Sequence, residues 1–139
     1  MKVKYQIFKA MSLEVHRFIG DWSTTVYETF LQKLITEPDI KLVAKVLVDL
    51  RGINMNHAAS ELNHLIDFRD QTLQKRYNTV HLVDSPMTTA FSHLYSEKLN
   101  QKGFHYNYCS TIEHALNLLE LDIIAIEMED ILKNLTHQF

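Results

Sequence analysis

Apolar positions along this chain recur with two periods, and the alternation between them lays out the elements. Val3, Tyr5 and Ile7 fall on every second position, with Lys4, Gln6 and Phe8 between them, which is the period of a strand. Leu13, Val15 and Phe18, with Ile19 beside it, predict a second strand. The bend near residues 10–12 makes the opening an antiparallel hairpin, ended by Gly20 and Asp21. At 42–52, LVAKVLVDLRG, the pattern changes. Val43, Val46, Leu47, Val48 and Leu50 form a dense, largely β-branched run, as expected of a strand covered on both faces. The rest of the chain is organised around that strand.

Helical spacing fills the intervals. Val26, Phe30 and Leu34, with Leu31, predict a first helix, with Ser23, Thr24 or Thr25 as its cap and Glu28 completing a capping box with Thr25. The Glu37, Pro38 pair closes it, because a residue before proline resists the α conformation. A second helix is predicted over 58–75, with Leu62, Leu65, Ile66 and Leu73 inward and Arg69 interrupting the stripe near its edge. A strand at 78–83 follows. Asp84, Ser85 and Pro86 start a third helix, with Met87, Ala90, Phe91 and Leu94 inward, together with the stem of Lys98, and Gly103 at its end. A strand at 104–109 sets Phe104, Tyr106 and Tyr108 against His105, Asn107 and Cys109. Ser110 and Glu113 form a capping box for a fourth helix, with Ile112, Ala115, Leu116 and Leu119 inside. At 121–135, Leu121, Ile124, Ala125, Met128, Ile131, Leu132 and Leu135 recur at three and four, with Glu127, Glu129 and Asp130 between them.

The order β-β-α-β-α-β-α-β-α plus one further helix predicts an α/β fold: a mixed, mostly parallel sheet of about five strands with right-handed crossovers. Residues 1–120 are expected to form the domain. Residues 121–139 are expected to be an amphipathic helix, packed on that domain or placed at a dimer interface.

Composition narrows the function classes. The chain has 139 residues, enough for one domain with a real core. Its formal net charge is −3 and no lysine–arginine run forms a phosphate-binding patch, which argues against nucleic acid. The opening MKVKYQIFKA places charges where a signal peptide needs an apolar core. No apolar run reaches membrane-spanning length, so no membrane insertion is expected and the cytoplasm is the expected compartment. The single Cys109 excludes an intramolecular disulfide and reads as a buried thiol. With only three glycines and neither G-x-G-x-x-G nor G-x-x-x-x-G-K, no nucleotide cofactor has a signature, and no cofactor is expected.

Candidate sites follow from position. Open α/β sheets meet their partners at the carboxyl ends of the strands, which nominates Asp49, Arg51, Asn54, Asn56 and His57 as partner-facing. The alternative for Asp49 is a strand-end carboxylate held by Arg51 and backbone N–H groups. His57, Glu61 and His64 are spaced by four and three, so a helix would gather them into zinc or iron ligands for metal-assisted hydrolysis. Exposed polar residues are the competing reading, and the spacing is not H-E-x-x-H. Ser85 lacks the G-x-S-x-G elbow and reads as a cap. Tyr5, Phe104, Tyr106 and Tyr108 either pack as strand residues or line a pocket for a small apolar ligand or lipid. Ile124, Met128 and Ile131 are the expected interface if the tail pairs with a second copy. No catalytic residue is nominated. The leading expectation is a non-enzymatic protein-interaction or regulatory module.

The element order and four segments, VLVDLRGI at 46–53, the helix at 58–75, HLVDSPMTTAF at 81–91 and STIEHALNLL at 110–119, resemble the SpoIIAA-like, or STAS, superfamily, especially its divergent STAS/SEC14-like branch. The resemblance covers residues 3–120. In the anti-sigma-factor antagonists of that superfamily, D-L-S-G leads to D-S-S-G, where a serine is phosphorylated. Asp49, Leu50 and Gly52 match the first motif, with Arg51 in place of its serine. At the second motif this chain has His57, Ala58, Ala59 and Ser60, so the resemblance implies the fold without the phosphoserine switch. It also implies a likeness to lipid-binding SEC14 domains, with no ligand residues carried over.

Overall fold

The computed structural model describes residues 1–139. Six strands form one sheet in the order β5-β4-β3-β2-β1-β6. β1 (Lys2–Phe8) and β2 (Leu13–Ile19) make the expected antiparallel hairpin, turning through a short 3₁₀ segment at Lys9–Met11 and through Ser12 in the left-handed conformation. β2, β3 (Lys45–Asp49), β4 (Asn78–Leu82) and β5 (His105–Cys109) run parallel. β6 (His137–Gln138) pairs antiparallel with the outer side of β1. β3 is therefore interior, and its neighbours Leu47 and Val48, on opposite faces, are both buried, as a two-sided apolar strand requires.

Each parallel step needs a crossover. α1 (Thr24–Leu34), α2 (Leu62–Thr72) and α3 (Pro86–Gln101) pack on one face of the sheet, where Tyr27, Phe30, Leu65, Ile66, Phe91 and Tyr95 share a core with Phe18, Val48 and Tyr106. α4 (Ile112–Leu118) and α5 (Ala125–Lys133) cover the other face, closing a second core over Leu13, Val15, Leu47, Val80 and Leu82. No helix is long and apolar enough to cross a membrane.

The boundaries differ from the sequence reading in physically instructive ways. The sheet has six strands rather than about five, because β6 is only two residues long and its pairing with β1 spans nearly the whole chain. Of the three α1 cap candidates it is Ser23 whose Oγ accepts from the Val26 N–H, so the Thr25, Glu28 box is not formed, and the α4 cap is Thr111, accepting from the His114 N–H, rather than Ser110. Ser85 caps α3 as expected, with Pro86 in its first turn. α3 is rotated relative to its apolar reading: Met87, Ala90 and Leu94 are exposed, and Thr88, Ser92 and Ser96 are buried beside Phe91, Tyr95 and Leu99. The large rings fix the phase of the helix, and the short hydroxyl side chains share their buried line.

The tail stripe is divided. The chain turns at Glu120, with φ at 53°, before α5 begins. Met128 and Leu132 are buried against the domain's own second core, whereas Ile124 and Ile126 are 61% and 78% exposed. Within the chain, α5 packs on the domain through Met128 and Leu132 and leaves Ile124 and Ile126 uncovered. At the far edge of the sheet, the Asn100 side chain clamps β5: its Nδ2 donates to the Tyr106 carbonyl at 2.9 Å, and its Oδ1 accepts from the Tyr106 N–H at 2.7 Å.

Candidate functional site

The sheet face beneath α1, α2 and α3 is unusually polar for a covered surface. Because side chains alternate, this face carries Glu14, His16 and Phe18 from β2, Val46 and Val48 from β3, Thr79 and His81 from β4, and Tyr106 from β5. The parallel register aligns them in rows: Glu14, Val46, Thr79 and Tyr106 in one, His16, Val48, His81 and Tyr108 in the next. Glu14, His16, Thr79 and His81 are all buried. Buried polar groups need partners, and these are met only in part. The two Glu14 carboxylate oxygens lie 2.8 and 3.1 Å from His16 Nδ1. His81 Nδ1 lies 3.0 Å from Ser92 Oγ on α3. Neither imidazole has a protein partner at Nε2.

Between this face and the helices lies a cavity of about 60 Å³. One water needs roughly 10–15 Å³ of such space, so it suits several waters or one compact ligand. Of its 21 lining residues, 16 are hydrophobic, which makes it an apolar chamber with a few polar groups, the usual composition of a small-molecule site. The sheet supplies the polar rows, and α1, α2 and α3 supply Tyr27 and Leu31, Leu65 and Arg69, and Phe91 and Tyr95. Trp22 and Met55 line it from the connections after β2 and β3. Tyr95 stacks on His81 at 5.6 Å and 23°, and Tyr106 meets the same imidazole edge-on.

Burial sets the charge states. It pushes the His81 imidazole down to about 3, with the charge of His16 adding to the effect, so His81 is neutral at physiological pH. Burial also pushes the Tyr27 and Tyr95 hydroxyls well above the ordinary tyrosine range. The His81 shift has a measurable consequence. In the unfolded chain this imidazole protonates near pH 6.5, whereas in the folded chain it resists to about pH 3. The unfolded state therefore binds more protons across that window, and stability falls as pH drops through it, by up to about 1.4 kcal/mol per unit. Urea unfolding at pH 6.5 and pH 5 should show a loss of about 1.6 kcal/mol from this group, and His81→Gln should remove most of it. An unchanged loss in that variant would assign the effect elsewhere.

The residues nominated from the sequence are placed differently. Asp49 is fully buried at the end of β3, on the α4–α5 side. Its Oδ1 accepts from the Arg51 N–H at 3.0 Å and from Arg51 Nε at 2.9 Å, and its Oδ2 accepts from Nη2 at 3.0 Å. Arg51 continues to Glu129 on α5 at 2.8 Å. This is the strand-end carboxylate arrangement, and it ties α5 to β3. Asn54 donates to Asp21 and accepts from the Asn56 N–H, closing the loop over Gly20 and Trp22. Asn56 and His57 are exposed. His57, Glu61 and His64 do not converge: Glu61 accepts from Thr24, His64 pairs with Glu28 on α1, and no group of three His, Cys, Asp or Glu side chains is disposed to hold a metal ion. The helical spacing misleads because α2 begins only at Leu62. Cys109 is buried, its thiol pushed up by that burial. Of the four aromatic pocket candidates, only Tyr106 lines the cavity; Tyr5, Phe104 and Tyr108 do not. Of the three interface candidates, Ile124 is exposed, Ile131 half-buried and Met128 fully buried.

Sequence reasoning missed Glu14, His16, Arg69, Thr79 and His81. The available signal was polar residues at alternate positions on strands whose two faces must both be covered. No family model, curated protein or solved structure matches the chain.

Proposed function

We propose that the chain is a non-enzymatic binding module of STAS-like fold whose interior cavity takes one small, mostly apolar molecule. The observation that carries this reading is the cavity itself: an apolar chamber under α1–α3 into which buried polar side chains bring unpartnered atoms. Such groups orient a ligand, while apolar walls supply its affinity. The charge states favour binding over acid–base chemistry. A general acid or base works best with a pKa near the operating pH, and burial moves His81, Tyr27 and Tyr95 away from it. The STAS-like assignment draws its support from the opening hairpin and the alternating strand–helix order. The interaction-module reading drew on an unpartnered tail stripe, and Met128 and Leu132 are covered within the chain.

Trp22 lines the cavity and is the chain's single tryptophan, so its fluorescence reports occupancy. Titration with toluene should shift or quench its emission and raise the melting temperature by about 3–6 °C at ten times the Kd. Val48→Phe, which fills the cavity between His16 and His81, should abolish both responses. No response up to the solubility of toluene would overturn the proposal.

A further inference from the structure

We infer that the ligand of this cavity is a small carboxylic acid with an aromatic or aliphatic body, its carboxylate held by Arg69; this rests on the ligand-binding reading above. Arg69 lies on α2 among Leu65, Ile66 and Leu73, and only 3% of its surface is exposed. A guanidinium does not deprotonate in proteins, so a full positive charge is buried in the cavity wall. Buried charges are ordinarily paired, yet every partner of Arg69 within the chain is neutral. Its Nε donates to Tyr106 Oη at 2.7 Å, its Nη1 donates to the Leu73 carbonyl, and the group sits 4.8 Å from the centre of the Phe104 ring. Its Nη2 has no partner. Glu14, the buried acid of the same cavity, is engaged by His16 and forms no ion pair with Arg69.

The hydrogen-bond inventory around this charge is one-sided. Tyr106 Oη accepts from Arg69, and its own O–H has no acceptor. Tyr27 Oη and Tyr95 Oη lie 3.2 Å apart, so one donates to the other and one O–H is left over. Burial keeps the Tyr27 and Tyr95 hydroxyls protonated. Arg69 Nη2, the Tyr106 O–H and one hydroxyl of the Tyr27, Tyr95 pair are therefore three donors facing one chamber with no acceptor among them. An ionised carboxylate is acceptor-only, matches the planar guanidinium, and carries the one negative charge that balances it. The predominantly apolar remainder of the lining asks for an apolar body behind that headgroup.

The test compares 3-phenylpropanoate with 3-phenylpropanamide at pH 7.5. They have the same body and differ in charge and in the donor that the amide brings. Both are titrated into the full chain and followed by Trp22 fluorescence and by NMR shifts of the lining residues. The acid should bind at least about tenfold more tightly than the amide, and Arg69→Met should bring the ratio close to one. The wild-type ratio decides the matter if Arg69→Met does not fold, with Tyr106→Phe expected to reduce that ratio severalfold. An amide that binds as well as the acid would overturn the carboxylate assignment and leave the ligand-binding reading intact. An acid preference that survives Arg69→Met would place the acid elsewhere and overturn the assignment. If the acid, the amide and toluene all leave Trp22 unmoved, the chamber holds only water and both proposals fall.

Discussion

Asp49→Ala should cost the fold about 3–4 kcal/mol, and Glu129→Ala less than about 1 kcal/mol, although both acids bind the same arginine. The difference is burial. Asp49 is fully buried and accepts three hydrogen bonds from Arg51, with Arg17 Nε 3.5 Å from its Oδ2. Removing one partner of a buried pair leaves charges and an N–H without their acceptor, which typically costs about 3–5 kcal/mol. The two arginines keep 24% and 32% of their side-chain surface in solvent, so water replaces part of the loss and places the effect at the lower end. Glu129 is 39% exposed, and exposed pairs contribute about 0–1 kcal/mol. Urea unfolding of the two variants measures the contrast. A cost below about 1 kcal/mol for Asp49→Ala would contradict the buried-pair account.

Met128→Ser should destabilise the chain by about 3–5 kcal/mol, while Ile126→Ser changes stability by no more than about 0.5 kcal/mol. Met128 is fully buried in the core over Leu13, Val15 and Leu47, so the substitution opens a cavity and buries a hydroxyl. Ile126, two positions away on the same helix, is 78% exposed. Denaturant unfolding with sedimentation equilibrium on each variant separates the placements of the tail. A Met128→Ser chain that keeps its stability and loses a dimer would move the stripe to an interface between copies.

Much of the fold was legible because it rests on local signals. The central run at 42–52 reads as a doubly covered strand and Ser85 with Pro86 as a helix start, and β3 and α3 lie there. What failed was the phase of elements whose buried side is chemically mixed. Apolarity alone turned α3 towards Met87 and Leu94, whereas Phe91 and Tyr95 pull Thr88, Ser92 and Ser96 inward. The same bias made Arg69 an interruption at the edge of a stripe, when it is a buried member of that stripe. The tail shows the complementary limit: its periodicity put Met128 and Leu132 on the buried side, but also Ile124, which is exposed, and periodicity cannot say whose surface covers that side. The candidate site was the least legible. A strand-end rule directed attention to the loop after Asp49, whereas the cavity is assembled from β2, β3, β4, β5 and three helices that no local spacing brings together.

The treatment of the two sheet margins bears on how this chain meets other proteins. An open outer strand presents unpaired N–H and C=O groups as a template for foreign strands. On one margin β6 covers part of β1, with Val3 and Phe139 exchanging backbone hydrogen bonds at 2.8 and 3.1 Å. On the other, Asn100 occupies both backbone groups of Tyr106 near the start of β5, as a neighbouring strand would. Strand addition, a common route both to peptide capture and to aggregation, is thereby obstructed at both ends of the sheet. The backbone groups left open at the sheet margins are few, and the surfaces that remain exposed are those of helices and loops, among them the elements that roof the cavity.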